Sequence, residues 1–228
     1  MDALARLPDR FEAIVLDEGQ DFRPDDRDAI QMALADTKQS PFYVFQDASQ
    51  AVYRDAEAWP EVDFQTIYDL VENRRNTRAI HQTVRLLGAS TVTRATGPGG
   101  RPVQLVPADD LRAERDALSR VLHGLIREEA VPPGGIAVLT SSRSVIPELA
   151  PDGRIGAFQI TSEHRPDPNR VLVESITRFK GLERDVVVMA GLRDVEYCNF
   201  GPLLCVGASR ARAHLVVIGR PEVLERFR

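Results

Sequence analysis

The chain has 228 residues, of which 43% are hydrophobic and 28% charged, and its formal net charge is −5. This composition is typical of a globular protein and excludes collagen-like, disordered and disulfide-scaffold classes. Residues 1–10 carry acidic side chains and no long apolar core, so we expect no secretory signal there. The sequence has no apolar run near the ~20 residues that span a bilayer, and Cys198 and Cys205 are its only cysteines. The sequence therefore predicts a cytoplasmic protein without a membrane partner.

The charge is unevenly distributed along the chain. Residues 1–70 contain 16 acidic and 6 basic side chains, whereas residues 71–228 contain 18 and 23. This pattern fits a metal-binding acidic edge and an arginine-rich surface that binds phosphates, although chance surface composition would produce it equally well.

Short apolar runs at residues 13–16 and 42–45 predict buried strands, and each is followed directly by acidic side chains. A helix is predicted between them, over residues 24–37. Further along the chain, the pattern predicts the following elements: helices at 77–89, 110–129 and 202–212, and strands at 103–106, 136–140, 171–175, 186–190 and 215–218. Strands that alternate with helices predict an α/β fold with a largely parallel sheet.

The first strand leads into the string DEGQD at residues 17–21. Adjacent carboxylates at a strand end point in different directions, so Asp17 can hold Mg²⁺ on a nucleotide while Glu18 orients an attacking water. A solvated turn would explain the acidic pair alone. The full string resembles motif II, the Walker B box (D-E-x-Q-D), of superfamily 1 helicases of the UvrD/Rep kind, which also implies a nucleotide contact for Gln20.

The string YVFQDASQAVYR, residues 43–54, resembles motif III of that family, a strand followed by G-D-x-x-Q-x-I-Y. The resemblance implies that Gln50 senses the γ-phosphate. Asp55 stands where many members have a tryptophan that stacks on DNA, so Tyr53 or Trp59 would make that contact, or no residue does.

The string LVENRRNTRAI, residues 70–80, resembles motif IV, L-x-x-N-Y-R-S. By resemblance, Arg75 would neutralise charge on the transferring phosphoryl group, a task that suits the planar guanidinium. Arg74 replaces the motif's tyrosine and would stack on the base of the nucleotide through its guanidinium plane. A charged helix N-terminus explains this string about as well.

The string ESITRFKGLERDVVVM, residues 174–189, resembles motif V, T-x-H-x-x-K-G-L-E-x-x-x-V. The resemblance implies nucleotide contacts for Lys180, Gly181 and Glu183. It implies DNA contacts for Ser175 and Thr177, which replace the motif's threonine and histidine.

The string LLCVGASRARAHLVVIG, residues 203–219, resembles motif VI, L-Y-V-A-x-T-R-A-x-x-x-L. By resemblance, Arg210 would be a second phosphate-sensing arginine, on a helix beside the nucleotide cleft. Cys205 is predicted to be a small buried side chain, and His214 to be structural.

Five motifs in the family's order imply two RecA-like, P-loop NTPase-type parallel sheets. Residues 1–70 would be the C-terminal remnant of a first motor domain, and residues 71–228 a complete second motor domain without a large insertion. The implied activity is 3′→5′ translocation on single-stranded DNA, driven by ATP with Mg²⁺.

The phosphate-binding string G-x-x-G-x-G-K-[ST] does not occur in the sequence. We therefore expect the C-terminal part of a longer helicase, inactive without its N-terminal motor domain. The alternatives are a natural P-loop-less relative that serves as a non-catalytic DNA- or protein-binding module, and an α/β domain with accidental matches. Because residues 1–70 alone would leave sheet faces uncovered, we also expect exposed edges, unusual contacts or a homodimer through this region.

Overall fold

The computed structural model describes residues 10–47, 59, 64–88, 94–193 and 200–228. The chain divides into two compact units, Met1–Asp69 and Leu70–Arg228. In these described ranges no helix combines the length and apolarity that crossing a membrane requires.

The first unit contains a parallel pair of strands, β1 (Ile14–Leu16) and β2 (Phe42–Val44), with helix α1 (Pro24–Met32) between them in sequence. Both strands and the start of the helix agree with the sequence prediction, but the helix ends five residues early. Its end is followed by a turn in which the Asp36 carboxylate accepts the backbone N–H groups of Lys38 and Gln39, at 2.8 and 3.2 Å. Aspartate favours such turns over helix interiors because its carboxylate competes for backbone N–H groups.

The strand pair of the first unit leaves apolar side chains uncovered. Val15 and Tyr43, which face each other across β1 and β2, are 63% and 58% exposed. Parallel sheets are normally covered on both faces. Val15 and Tyr43 are thus exposed apolar side chains of the described part of this unit, and the exposed edges, unusual contacts or homodimer expected from the sequence stay predictions.

The second unit is built on a seven-stranded sheet. The strands and α-helices described in this unit are β3 (Glu72–Asn73), α2 (Arg78–Leu86), β4 (Arg94–Ala95), β5 (Gln104–Pro107), α3 (Leu111–His123), β6 (Ile136–Thr140), α4 (Ile146–Leu149), β7 (Arg154–Ile155), β8 (Phe158–Thr161), β9 (Arg170–Ser175), β10 (Arg184–Met189), α5 (Phe200–Ser209), β11 (Ala211–Gly219) and α6 (Pro221–Leu224). The strand order in the large sheet is β5-β11-β10-β6-β9-β8-β7. All neighbours in the large sheet pair in parallel except β7 and β8. The predicted α/β class with a largely parallel sheet is confirmed.

Helices cover both faces of this sheet. Alternate side chains of the central strands, such as Val138 of β6 and Val188 of β10, belong to one apolar cluster with Leu118 and Leu122 of α3. On the opposite face α5 packs so closely that a Cβ added at Gly207 would lie 2.8 Å from the Met189 side chain. Burial on both faces explains why these strands appear in the sequence as continuous apolar runs rather than alternating ones.

Besides the short helices α4 and α6, three features of the second unit were not predicted. Residues 150–168 contain the antiparallel pair β7 and β8, connected through Gly156, whose φ is +56°. The short strands β3 and β4 pair in parallel beside motif IV. Helix α5 ends at Ser209 rather than at residue 212, and β11 starts at Ala211, so Arg210 lies between a helix and a strand and not on the helix as predicted.

Candidate functional site

The acidic pair of the first unit follows β1 in a strained turn. Glu18 adopts the left-handed conformation, with φ 53° and ψ 45°, and its backbone N–H donates to Asp17 Oδ1 at 2.9 Å. A side chain larger than glycine pays of order 1 kcal/mol for this conformation, which is found more often at functional sites than elsewhere. The predicted roles of Asp17 and Glu18 stay predictions.

Gln20 connects this turn to the end of β2. Its side chain is fully buried, its Nε2 donates to Glu18 Oε2 at 2.5 Å, and its Oε1 accepts the backbone N–H of Asp47 at 3.0 Å. Both ends of the amide are thus bonded within the protein. Gln20 therefore holds motif II against motif III in this structure, and its predicted nucleotide contact stays a prediction.

Trp59 does not present a surface for stacking on DNA, so that option is wrong. Its side chain is 2% exposed, its indole N–H donates to the carbonyl of Gly19 at 3.0 Å, and its ring contacts Phe42 and Phe64. A ring that fills the core of this unit cannot also stack on a base. Gln50 and Tyr53, the other predicted contacts from this part of the chain, lie outside the described residues.

Among the described residues, no group of three or more His, Cys, Asp or Glu side chains is placed to hold a metal ion. Mg²⁺ demands six oxygen ligands and usually takes one or two from carboxylates and the rest from water and phosphates. Asp17 is an exposed carboxylate, and its contact with Mg²⁺ stays a prediction.

Motif IV of the second unit is joined to motif VI through Asn76. The buried Asn76 side chain donates to the carbonyls of Ser209 and Ala211, at 2.9 and 2.6 Å, and so spans the residues on either side of Arg210. Its Oδ1 accepts from Asn73 Nδ2 at 2.8 Å. Asn76 is the position where the family motif has serine, so the link uses an amide that reaches further than a hydroxyl.

Three charged side chains from motifs IV, V and VI meet at the amino-terminal ends of β10 and β11. Arg75 Nε lies 3.1 Å from Glu183 Oε2, and Arg212 Nε lies 3.6 Å from Glu183 Oε1. All three side chains are about half exposed. We refer to Arg75, Glu183 and Arg212 as the arginine–glutamate cluster; it brings together two residues that the sequence predicted and one that it missed.

The sequence pattern gave no signal for Arg212. The predicted helix through residue 212 placed it on the wrong element, since Arg212 is an exposed residue near the start of β11 whereas Arg210, just before the strand, is buried.

Arg210 is buried, and the structure places it differently from the prediction of an arginine beside an open cleft. Its side chain is 1% exposed, and its Nε donates to the carbonyl of Val206 at 3.1 Å. The backbone around it is also held, because the Arg210 carbonyl accepts the N–H of Arg184 at 3.1 Å. In this conformation Arg210 ties helix α5 to the start of β11.

Arg74 and the motif V turn are solvent-accessible. Arg74 is bonded to Glu72 at 2.8 Å, and this guanidinium holds the pKa of the Glu72 carboxyl below its usual range. Gly181 has φ +80° and no atom within 4 Å of the place that a Cβ would occupy, so backbone conformation rather than space requires glycine there. Lys180 precedes it, half-buried, at the end of the same turn.

The predicted DNA-binding hydroxyls lie at the carboxyl end of β9. Ser175 is buried, Thr177 is half-buried, and their oxygens are 3.3 Å apart. Directly before them stands Glu174, whose buried carboxylate is close to Arg143, His164 and Arg178. None of these four residues was singled out from the sequence, because they are brought together from three separate chain segments.

The glycine-rich loop at residues 97–100 is not a phosphate cradle. Its Pro98 and Gly99 carbonyls accept the N–H groups of Arg78 and Ala79, the first residues of α2, at 2.9 and 3.1 Å. The next N–H, of Ile80, donates to the Thr77 hydroxyl. The helix N-terminus is therefore already capped by protein groups and leaves these amides unavailable to an anion.

Comparisons with known proteins give a structural relative only. No protein-family model matches the sequence, and no curated protein resembles it closely enough to count as a match. Among 102 matching chains of solved structures is the C-terminal domain of a possible DNA helicase from Lactobacillus plantarum WCFS1. The similarity has a TM-score of 0.52 at 20% sequence identity and covers 68% of this chain and 94% of that domain. The chain thus contains the mixed α/β fold of that domain.

Proposed function

We propose that this chain is the C-terminal motor portion of an ATP-dependent DNA helicase of the UvrD/Rep kind, with residues 71–228 as a second RecA-like domain. It would couple ATP hydrolysis to 3′→5′ movement on single-stranded DNA and would be inactive without a P-loop segment. The arginine–glutamate cluster carries this proposal. Motif IV, which lies more than a hundred residues before motifs V and VI in sequence, contributes Arg75 to the cluster, and both arginines are accessible to a ligand.

The two arginines of the cluster are the groups that a polyphosphate would use. Glu183 faces both guanidinium groups and Asp185 Oδ1 lies 3.7 Å from Arg212 Nε, so each arginine has a carboxylate partner and the charges balance when no ligand is bound. A nucleotide phosphate would compete with Glu183 for these arginines, since guanidinium binds phosphate and carboxylate with the same fork of donors. Arg75 would then neutralise charge on the transferring group, as arginine fingers do.

The acidic pair of the first unit would supply the other half of the chemistry. Asp17 would be one ligand of Mg²⁺, which would supply positive charge to neutralise the nucleotide phosphates. Glu18, held in its strained turn and bonded to Gln20, would orient the attacking water. A preceding P-loop domain is the partner that this assignment requires.

The test is ATP hydrolysis stimulated by single-stranded DNA, measured on the natural gene product that contains residues 1–228. We expect Arg75→Ala to lower the rate on the order of 10³-fold or more, and Arg75→Lys to restore it only in part. Arg112→Ala removes an exposed arginine on α3 and serves as the control. Equal rates for Arg75→Ala and the control would refute the role of Arg75.

A non-catalytic binding module is the second candidate, and the burial of Arg210 favours it. An arginine that is 1% exposed cannot contact a phosphate without a rearrangement. For this candidate we expect binding of single-stranded DNA that weakens steeply with salt and is unchanged by ATP and Mg²⁺, together with no ATP hydrolysis by the natural gene product.

A further inference from the structure

A buried carboxylate surrounded by basic side chains lies at the carboxyl edge of the large sheet. Glu174, near the end of β9, is 1% exposed. Arg143 Nε lies 3.5 Å from its Oε1, and Arg178 Nε and His164 Nε2 lie 3.3 and 3.7 Å from its Oε2. We refer to these four residues as the Glu174 cluster.

The charges of the Glu174 cluster do not balance. One carboxylate faces two arginines and a histidine, and all three basic side chains are between 37% and 58% exposed. Among the described residues, Glu174 is the one acidic side chain within ion-pair distance of Arg143 or Arg178. Each guanidinium turns its Nε towards Glu174, and its four terminal N–H donors have no bond within the described protein.

The carboxylate is also incompletely bonded for a group so deeply buried. Glu174 Oε1 accepts the backbone N–H of Ser175 at 2.9 Å, whereas Oε2 has no hydrogen bond among the described residues and neither does His164 Nε2. Burying a charge is costly unless it is well paired. The hydrogen bonds of the Glu174 carboxylate do not by themselves explain why it is buried. Its effect on the basic side chains around it is the better explanation.

The cluster lies where ligands bind in parallel α/β sheets. Arg143 follows the end of β6, Arg178 follows the end of β9, and β6 and β9 are neighbours in the sheet. Ligands of such sheets bind in the crevice outside the carboxyl ends of the strands. The hydroxyls of Ser175 and Thr177 follow Glu174 directly in the chain, at the same strand end.

We propose that Glu174 is a positioning residue, which holds Arg143, Arg178 and His164 as a row of phosphate-binding groups for the backbone of single-stranded DNA. The choice of DNA rests on the proposed function. Two guanidinium forks on separate segments suit successive phosphates, which accept bidentate hydrogen bonds from arginine. Contacts of this kind fix the strand on the protein without reading its sequence.

The test is the binding of fluorescently labelled oligo(dT) to the intact chain, measured by anisotropy at several salt concentrations. We expect Arg143→Gln and Arg178→Gln each to weaken binding about tenfold. Each should also reduce the slope of log affinity against log salt by about 0.7, the value for one phosphate contact on a single strand. Arg101→Gln is the matched control: it removes the same charge from an arginine that pairs with Glu129 outside the cluster, and should bind like the wild type.

Glu174→Gln distinguishes positioning from simple charge. The substitution keeps the size of the side chain and an oxygen for the Ser175 N–H, but makes the cluster more positive by one charge. If Glu174 only opposed the phosphates, this variant would bind DNA more tightly. We expect it to bind more weakly, because the guanidinium groups lose the carboxylate that orients them.

Each outcome has a distinct meaning. Tighter binding by Glu174→Gln overturns the positioning role, and arginine variants that match Arg101→Gln overturn the contact with DNA. A wild-type chain that shows no salt-dependent binding of oligo(dT) refutes the DNA partner of the proposed function itself. Far-UV circular dichroism checks the folding of Glu174→Gln; if it does not fold, the two half-exposed arginines decide the result.

Discussion

Asn76 is the residue on which the connection between motifs IV and VI depends most directly, and its removal has a calculable effect. Asn76→Ala would delete three side-chain hydrogen bonds, to the Ser209 and Ala211 carbonyls and to the Asn73 amide. Each bond contributes about 1 kcal/mol net, and more where the abandoned partner stays buried. We therefore expect the free energy of unfolding of the second unit to fall by about 2–4 kcal/mol.

The assay is urea denaturation followed by far-UV circular dichroism. A loss of this size corresponds to a midpoint of thermal unfolding lower by about 6–12 °C for a chain of this length. Asn76→Ser, with the residue of the family motif, should lose roughly half as much because a hydroxyl donates one hydrogen bond where the amide donates two. Asn169→Ala alters an exposed asparagine and is the control.

A loss below about 0.5 kcal/mol for Asn76→Ala, within the range of ordinary surface substitutions, would refute this reasoning. It would mean that water or a shifted backbone satisfies the two carbonyls without the amide. The link between motif IV and the residues around Arg210 would then be incidental to the fold.

Four further predictions concern two glycines, a glutamine and the buried histidines. Gly181→Ala should lower the free energy of unfolding by about 1–2 kcal/mol because of the positive φ alone, and Gly181→Asn should lower it less because asparagine tolerates that region. Gly207→Ala should lower it by about 1–3 kcal/mol because the added methyl group crowds Met189 and Ile176. Denaturation curves measure both losses. Gln20→Ala should destabilise the first unit by about 2 kcal/mol through the loss of two buried hydrogen bonds, and the fluorescence of Trp59, the single tryptophan, reports it. Burial lowers the pKa of His81 and of His214 below 6.5. The unfolded chain therefore takes up protons first, and the free energy of unfolding should fall as the pH drops below about 6.5. If the free energy of unfolding of His81→Gln falls as much as that of the wild type between neutral and mildly acidic pH, the assignment to His81 is contradicted.

Local sequence was sufficient to predict five of the seven strands of the large sheet and the order of the motifs. Runs such as Val186, Val187 and Val188 are apolar without interruption because both faces of the sheet are covered, and this signal needs no knowledge of the partners. The same holds for Gly181, which its turn requires for conformational reasons that are local to the backbone. Arg75 and Glu183 were chosen from motif resemblance, and the fold brings them within 3.1 Å of each other.

Tertiary structure decided which side chains are accessible and which are joined. The sequence marks Trp59 and Arg210 as large polar-tipped side chains that could equally face solvent, but packing buries both. Arg212 and the Glu174 cluster became visible only through the fold, since their members come from separate segments that the parallel sheet aligns at its two edges. Burial and pairing depend on contacts between distant parts of the chain, and a local pattern of residues does not contain that information.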